Sequence, residues 1–541
     1  MSAVTLVVLA AVLFIVAYIA YGGYLAKKWG IDSTRKTPAH TMYDGVDYVP
    51  AKAPVVLGHH FASIAGAAPI IGPVTAAIFG WLPVFLWIVV GGIFIGAVHD
   101  FGALFASVRH GGHSIGDIIE KNLGKSGKKL FAIFAWFTLV LVVAAFTIVT
   151  SNTFVGTPSA ATSSILFMVL AIMFGFATNR FKIPLGIATV AGVVLLFLCV
   201  VIGINYPIIL PGATWSYILL GYIFVASVTP VWILLQPRDY LNSFLLYALL
   251  GGAFVGLIVA NPRLEFAAVT SLNTNLGYMF PILFVTVACG AISGFHSMVS
   301  SGTTAKQLNN EKDARVVGYG GMLIESFLAV IALITAAILM QDKYVSLLDA
   351  GGPVGVFSAG VGSFLAELGI PAAAGTSFAA LAVSAFALTS LDTATRLGRF
   401  VFQELFANDS QEGNSNLLVN KYFATLITVF AGGTLALSGG WKTIWPIFGA
   451  ANQLLAALAL LAISVWLANR GQSNSATKYP MFFMFAVTLS ALVFVFISNY
   501  AKANYLLAVI AVLLFVLALV LLTQALKVLF GGKKTDADIG A

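Results

Sequence analysis

The sequence predicts an all-α, polytopic membrane protein of about 15 transmembrane helices, with broken helices at the centre of an inverted-repeat core. Three observations carry this. The 541-residue chain is 60% hydrophobic and only 9% charged, where a soluble domain has roughly a quarter of its residues charged. With a mean hydropathy of +0.98, lipid must take the place of the missing polar surface. Long apolar segments alternate with short loops that hold most of the basic residues, and glycine and proline interrupt several segments where a span should form.

Taken in order, spans are expected near 4–26, 59–79, 81–108, 130–151, 161–179, 184–205, 215–236, 243–260, 279–300, 318–341, 373–395, 421–437, 446–468, 480–499 and 504–530. The first has no basic stretch before it and is too long for a signal-peptide core, so it reads as a retained helix. With the N-terminus outside, 24 of the 28 lysines and arginines fall on inward loops and the C-terminal tail. Only Arg263, Lys343, Lys442 and Lys502 lie outward, which gives an N-out, C-in threading. That alternation also accounts for the net charge of +8 without a nucleic-acid partner.

Three segments make poor simple spans. Residues 58–73 (GHHFASIAGAAPIIGP) carry two prolines and three glycines. Residues 227–239 (SVTPVWILLQPRD) contain Pro230 and Pro237, and residues 289–304 (CGAISGFHSMVSSGTT) are rich in Gly, Ser and Thr. Irregular backbone at membrane depth survives only inside protein or against a water-filled cavity. The first two interruptions fall five helices apart, an odd number, so the units that contain them lie in opposite orientations. Helices two to six and seven to eleven are therefore read as five-plus-five repeats. This divides the chain into the first helix and its cytoplasmic loop (1–58), a transport core (59–400) and peripheral C-terminal helices with a short tail (401–541). Residues 342–372 are read as a lid on the outer membrane face.

The strings GHHFASIAGAAPIIGP (58–73), HDFGALFASVRHGGHSIGD (99–117), PVWILLQPRDYLN (230–242), SGFHSMVSSGTTAKQL (293–308) and TSLDTATRLGRF (389–400) together resemble the carbon starvation protein family. The resemblance runs to about residue 400, more loosely beyond. It implies a bacterial inner-membrane uptake carrier, with peptides and pyruvate as substrates of different members. It also implies kinship with the amino acid–polyamine–organocation transporters and their leucine-transporter-like core.

Ionisable residues at membrane depth usually face a cavity and pair with something. His59, His60, His99 and Asp100 are expected to form a polar cluster between the first broken helix and its neighbour. With Asp392 they are the candidates for proton coupling, since histidine carries a proton near neutral pH. The same four residues are the candidates for a transition metal, although no i, i+4 histidine pair supports one. For the substrate, the break from Ser63 to Gly72 offers free amides to an anionic group, with Gly66 and Ala67 allowing close approach and Pro69 holding the break open. Arg238 could neutralise a carboxylate, or form an ion pair with Asp239; His296 is a further substrate candidate. Ser300, Ser301 and Thr303 supply hydroxyls for sodium, the alternative coupling ion. Glycine-flanked His110 and His113 read as a solvated turn, and Cys199 and Cys289 as small packing residues.

No P-loop, nucleophile elbow or zinc-protease motif is present, so an enzyme is not expected. The reading is a secondary transporter of a small organic solute working by alternating access with no resident cofactor; a nutrient sensor on the same fold is the alternative. Beyond solute and bilayer the sequence names no partner, and it leaves the oligomeric state open.

Overall fold

Apolar segments with no wet face satisfy their backbone polar groups internally, and the chain is helical almost throughout. The computed structural model describes residues 1–45, 48–230, 233–406, 417–439 and 441–530; the basic tail with Lys533 and Lys534 lies outside them. Among the described residues 14 helices are long and apolar enough to cross a membrane, or 15 with the bent pair Ala53–Ile64 and Ala68–Phe79. Gly212–Val228 is a shorter apolar helix.

Helix Gln341–Ala366 meets the length criterion for a span, but it turns sharply at Gly352, whose φ is +63°. Its two arms return to one face. Tyr344 donates to the Val74 carbonyl at 2.9 Å, Gly360 packs on Thr335, and Gly256 on Phe364. Residues 74, 256 and 335 all lie toward the ends of their helices opposite the lysine- and arginine-rich loops. The segment is a bent cap on the opposite face rather than a crossing.

The first interruption is a true break. Helix Ala53–Ile64 stops, three residues pass, and Ala68–Phe79 resumes at an angle of 48°. Almost every side chain from Val56 to Ala77 is buried by protein, so no part of the break faces lipid. Its partner is not the segment expected. Residues 227–239 are the turn between helices Gly212–Val228 and Leu235–Ala260, with Val231 and Trp232 outside the described residues. The second broken helix is Met279–Val287 followed, after an irregular stretch, by Gly294–Gly302. The two breaks lie side by side and antiparallel. The second half of the first helix packs on the first half of the second, and the remaining halves pack on each other. Gly72 makes this possible, because a Cβ there would strike the carbonyls of Thr286 and Val287.

The C-terminal helices are not all peripheral, which corrects the division at residue 401. Helix Trp441–Asn469 has its entire apolar stretch buried, against 28% for Leu185–Asn205. It lies directly on the second break and takes up its freed backbone groups. Asn452 Oδ1 accepts from the Phe295 amide at 2.9 Å; Gln453 Nε2 donates to the Phe284 carbonyl at 2.7 Å, and Trp445 Nε1 to that of Thr286 at 3.3 Å. Gly294 and Gly449 leave no room for a side chain at this contact, facing the carbonyls of Asn452 and Val285. Replacing Asn452 by Leu strands a buried amide, and we expect a loss of roughly 1–3 kcal/mol. Asn499→Leu, which removes only a bond to its own helix at the Val495 carbonyl, should cost less. Thermal unfolding of the two variants in detergent checks the order.

Candidate coupling and substrate site

Helix Trp81–Arg109 is π-wound from Trp87 to Gly96, a distortion that often re-aims side chains at functional sites. Its glycines face tight neighbours: Gly96 sits on the Ala291 carbonyl and Gly92 on Ser326. This seats the helix against the second break and brings His99 and Asp100 to it, both wholly buried. Asp100 accepts at both carboxylate oxygens. His99 Nδ1 lies 2.7 Å from Oδ1, and His296 Nδ1, across the interface, lies 2.8 Å from Oδ2. On its far edge His296 Nε2 is 3.3 Å from Glu325 Oε2, an ion-pair distance without hydrogen-bond geometry. His296 is thus held between two carboxylates and has no exposed surface.

The expected four-residue cluster divides. His59 and His60 are consecutive on a helix, where successive side chains diverge by about 100°. His60 Nδ1 meets Thr304 Oγ1 at 2.9 Å, whereas His59 Nδ1 faces Asp239 Oδ2 at 3.8 Å on the other side. His59, His60, His99 and Asp100 therefore do not converge on one point, and they do not form the metal site considered from sequence. Among the described residues, the metal-capable side chains that do converge are Cys289, His296 and Glu325.

Asp239 opens a second polar group. Arg238, 1% exposed, pairs closely with Asp392 and with Asp239 Oδ1 at 3.1 Å. Tyr222 donates to Asp392 Oδ2 at 2.6 Å and accepts from Arg238 Nη1 at 2.8 Å. Of the two readings of Arg238 from sequence, the ion pair with Asp239 is present, and its closest partner is Asp392, on helix Ala372–Phe406.

The remaining candidates lie as follows. Ser63 Oγ donates to its own helix at the His59 carbonyl. Ser301 and Thr303 bond likewise to Ser297 and Val299, while Ser300 Oγ is buried without a partner. Ala67 and Pro69 flank the restart of the first broken helix. Gly66 packs against Ser390, whose hydroxyl is buried and unpartnered at the break. Tyr222 carries no sign in the sequence of its place here, whereas Asn452 and Gln453, two adjacent amides inside an apolar run, do signal a polar contact within the membrane.

Two cavities lie at the basic-face ends of these helices. One, of about 220 Å³, is lined by Val55, His59, Phe174, Gln236, Tyr240 and Gln307 among others, so that His59 stands between it and Asp239. The other, of about 260 Å³, is bounded by Met298, Ser301, Lys306, Asp117 and Glu404 among others. Lys128 bridges Asp117 at 2.8 Å and Glu120 at 2.7 Å there. Burial raises the Asp117 carboxyl, but Lys128 and His113 outweigh it and hold the group below the usual range.

The family model described as carbon starvation protein CstA matches residues 2–352 and 345–491. A peptide transporter CstA of Campylobacter jejuni is 35% identical, over 90% of this chain and 79% of that protein. The pyruvate/proton symporter BtsT of Escherichia coli is 33% identical, over 85% of this chain and 76% of its own. A manganese transporter of Eremococcus coleocola superposes with a TM-score of 0.53 at 12% identity, over 90% of this chain and 98% of that one. At such identity the likeness is one of fold alone. With its apolar helices and bacterial relatives, this is a multi-pass protein of the bacterial inner membrane, and it belongs to the carbon starvation protein CstA family.

Proposed function

We propose that the chain is a secondary active transporter that imports small organic nutrients, short peptides or pyruvate-like acids, by alternating access coupled to protons. The relatives' names support the substrate classes. The observation that carries the coupling is the group reached through His59. Arg238 contributes one positive charge, and Asp239 and Asp392 two negative ones, all buried. Ionised, the trio holds one negative charge with no fixed partner, a costly state at membrane depth. A proton on His59, whose Nδ1 lies 3.8 Å from Asp239 Oδ2, balances it. His59 lines a cavity on the basic face, so the balancing proton has a route in or out. Sodium at Ser300 is the second reading, favoured by that hydroxyl's lack of a partner.

In this reading the solute binds where the two breaks meet, an acid's anionic end at the amides around Ala67 and a polar group at Ser390. The antiparallel breaks support an inverted repeat that runs from Ala53 to Ala260 and from Met279 to Asn469. Setting aside Leu185–Asn205, the least buried span, and its neighbour Gly212–Val228 in the first unit, and the bent Gln341–Ala366 in the second, leaves five helices in each. The basic face is then cytoplasmic. In a Cys199→Ser background, Lys343→Cys and Lys502→Cys should react with an impermeant maleimide added to intact cells whose outer membrane has been opened. Lys182→Cys and Lys478→Cys should react only after the inner membrane is permeabilised. The reverse pattern would invert the proposed threading.

Proteoliposomes given pyruvate or a dipeptide should accumulate one of them when the outside is made acidic, and a protonophore should abolish this. His59→Gln should cut gradient-driven accumulation by about tenfold or more, the size of a coupling free energy near 1.4 kcal/mol, while solute exchange at equal pH persists. Accumulation driven by a sodium gradient alone would transfer the coupling to sodium.

A further inference from the structure

We infer that Cys289, His296 and Glu325 form a binding site for a divalent transition-metal ion of the zinc type, at the second helix break. Their donor atoms all lie within 4.8 Å of one another, and the residues are 4%, 0% and 0% exposed. The set combines a sulfur, an imidazole nitrogen and a carboxylate, the mixture that a borderline-soft ion with tetrahedral preference takes, with a fourth position open.

Hydrogen bonding around the group fixes the direction of each donor. Asp100, ionised, accepts the Nδ1–H of His296, which leaves Nε2 of a neutral ring as a lone pair pointing away. A carboxylate behind an imidazole in this way orients and strengthens a metal-binding histidine. With Nδ1 the donor to Asp100, that lone pair faces Glu325 Oε2 at 3.3 Å, an arrangement that a cation between the two atoms would satisfy. Neither Glu325 oxygen, nor His296 Nε2, has a hydrogen-bond partner. Such a set of orphaned buried atoms asks for a cation. Asn452 Nδ2 donates to Cys289 Sγ at 3.4 Å and to Ser293 Oγ at 3.0 Å, which holds the sulfur in place from the buried helix.

Charge supports the same occupant. Asp100 and Glu325 are both wholly buried, and among the described residues neither pairs with a lysine or an arginine. Cys289 would bind as a thiolate, releasing its proton on metal uptake, so a divalent ion offsets two of the three negative charges and no side chain nearby offers as much. The ion would tie the irregular stretch at Cys289, and His296 on the half-helix beyond it, to helix Gly321–Ala337, bracing backbone that has no ladder of its own. Cys199, the other cysteine, is distant in sequence and only partly buried, which makes it a control.

The test is metal content and cobalt spectroscopy of the full-length protein in detergent. Protein purified without chelator should carry about one zinc-type ion per chain by mass spectrometry. After chelation and reloading with Co²⁺ it should show visible ligand-field bands and a near-ultraviolet sulfur-to-cobalt band. Cys289→Ser should lose the sulfur band, Glu325→Gln should lower occupancy severalfold, and Cys199→Ser should change neither. If the wild-type protein, eluting as a single folded species, holds no ion after zinc incubation and gives no cobalt spectrum, the inference fails. A sulfur band that survives Cys289→Ser overturns it as well.

Discussion

Two stretches of backbone inside the membrane have lost their helical ladder, and the remainder of the molecule is arranged around satisfying them. In water such a break is inexpensive; in hydrocarbon each stranded amide or carbonyl costs several kcal/mol. The protein meets this by enclosing the first break in side chains and by laying a whole helix on the second. Asn452, Gln453 and Trp445 each bond a main-chain group of that region. A helix with this duty must be buried on all sides, and the apolar stretch within Thr443–Asn469 is. Its place near the end of the chain gave no hint of its place at the centre.

The same enclosure sets the electrostatics. Inside so dry a core, polar side chains are tolerable only in balanced groups, and neither group is balanced by side chains alone. Arg238 stands between two aspartates, and His296 between an aspartate and a glutamate. Each, when its carboxylates are ionised, leaves negative charge that these side chains do not cancel. In a purely structural ion pair the charges cancel, which is one reason such pairs are often replaceable by apolar side chains. An uncancelled charge ties protein conformation to ion occupancy, as a coupled carrier requires.

Composition and the first break were legible because each depends on residue type alone: lipid exposure and the Pro/Gly-rich string 58–73. The bend at Gly352 falls in a stretch that is glycine-rich and weakly apolar, which set it apart from the other helices. Pairing of the breaks was not. Pro230 and Pro237 looked like a second interruption, yet Pro230 lies just past the end of helix Gly212–Val228 and Pro237 in the first turn of Leu235–Ala260, since proline marks a helix end as readily as a kink. The actual partner, at Cys289–Ser293, contains no proline, and only its small and hydroxylated residues distinguished it. The histidine cluster was half right for a geometric reason. His99 and Asp100 do meet, but adjacency in sequence separated His59 from His60 on the helix surface.

That separation gives the half-helix Ala53–Ile64 its mechanical meaning. One turn of it carries both histidines. His59 faces Asp239 on helix Leu235–Ala260, and His60 reaches Thr304, just beyond the second broken helix. The half-helix is short and ends at a break, so it can tilt without bending the half beyond. Any tilt that lengthens one histidine's contact must also change the other, because both rings ride on the same rigid turn. The half-helix thus joins the arginine–aspartate group to the second break through two neighbouring residues. Coupling between the two polar groups needs no longer pathway than this.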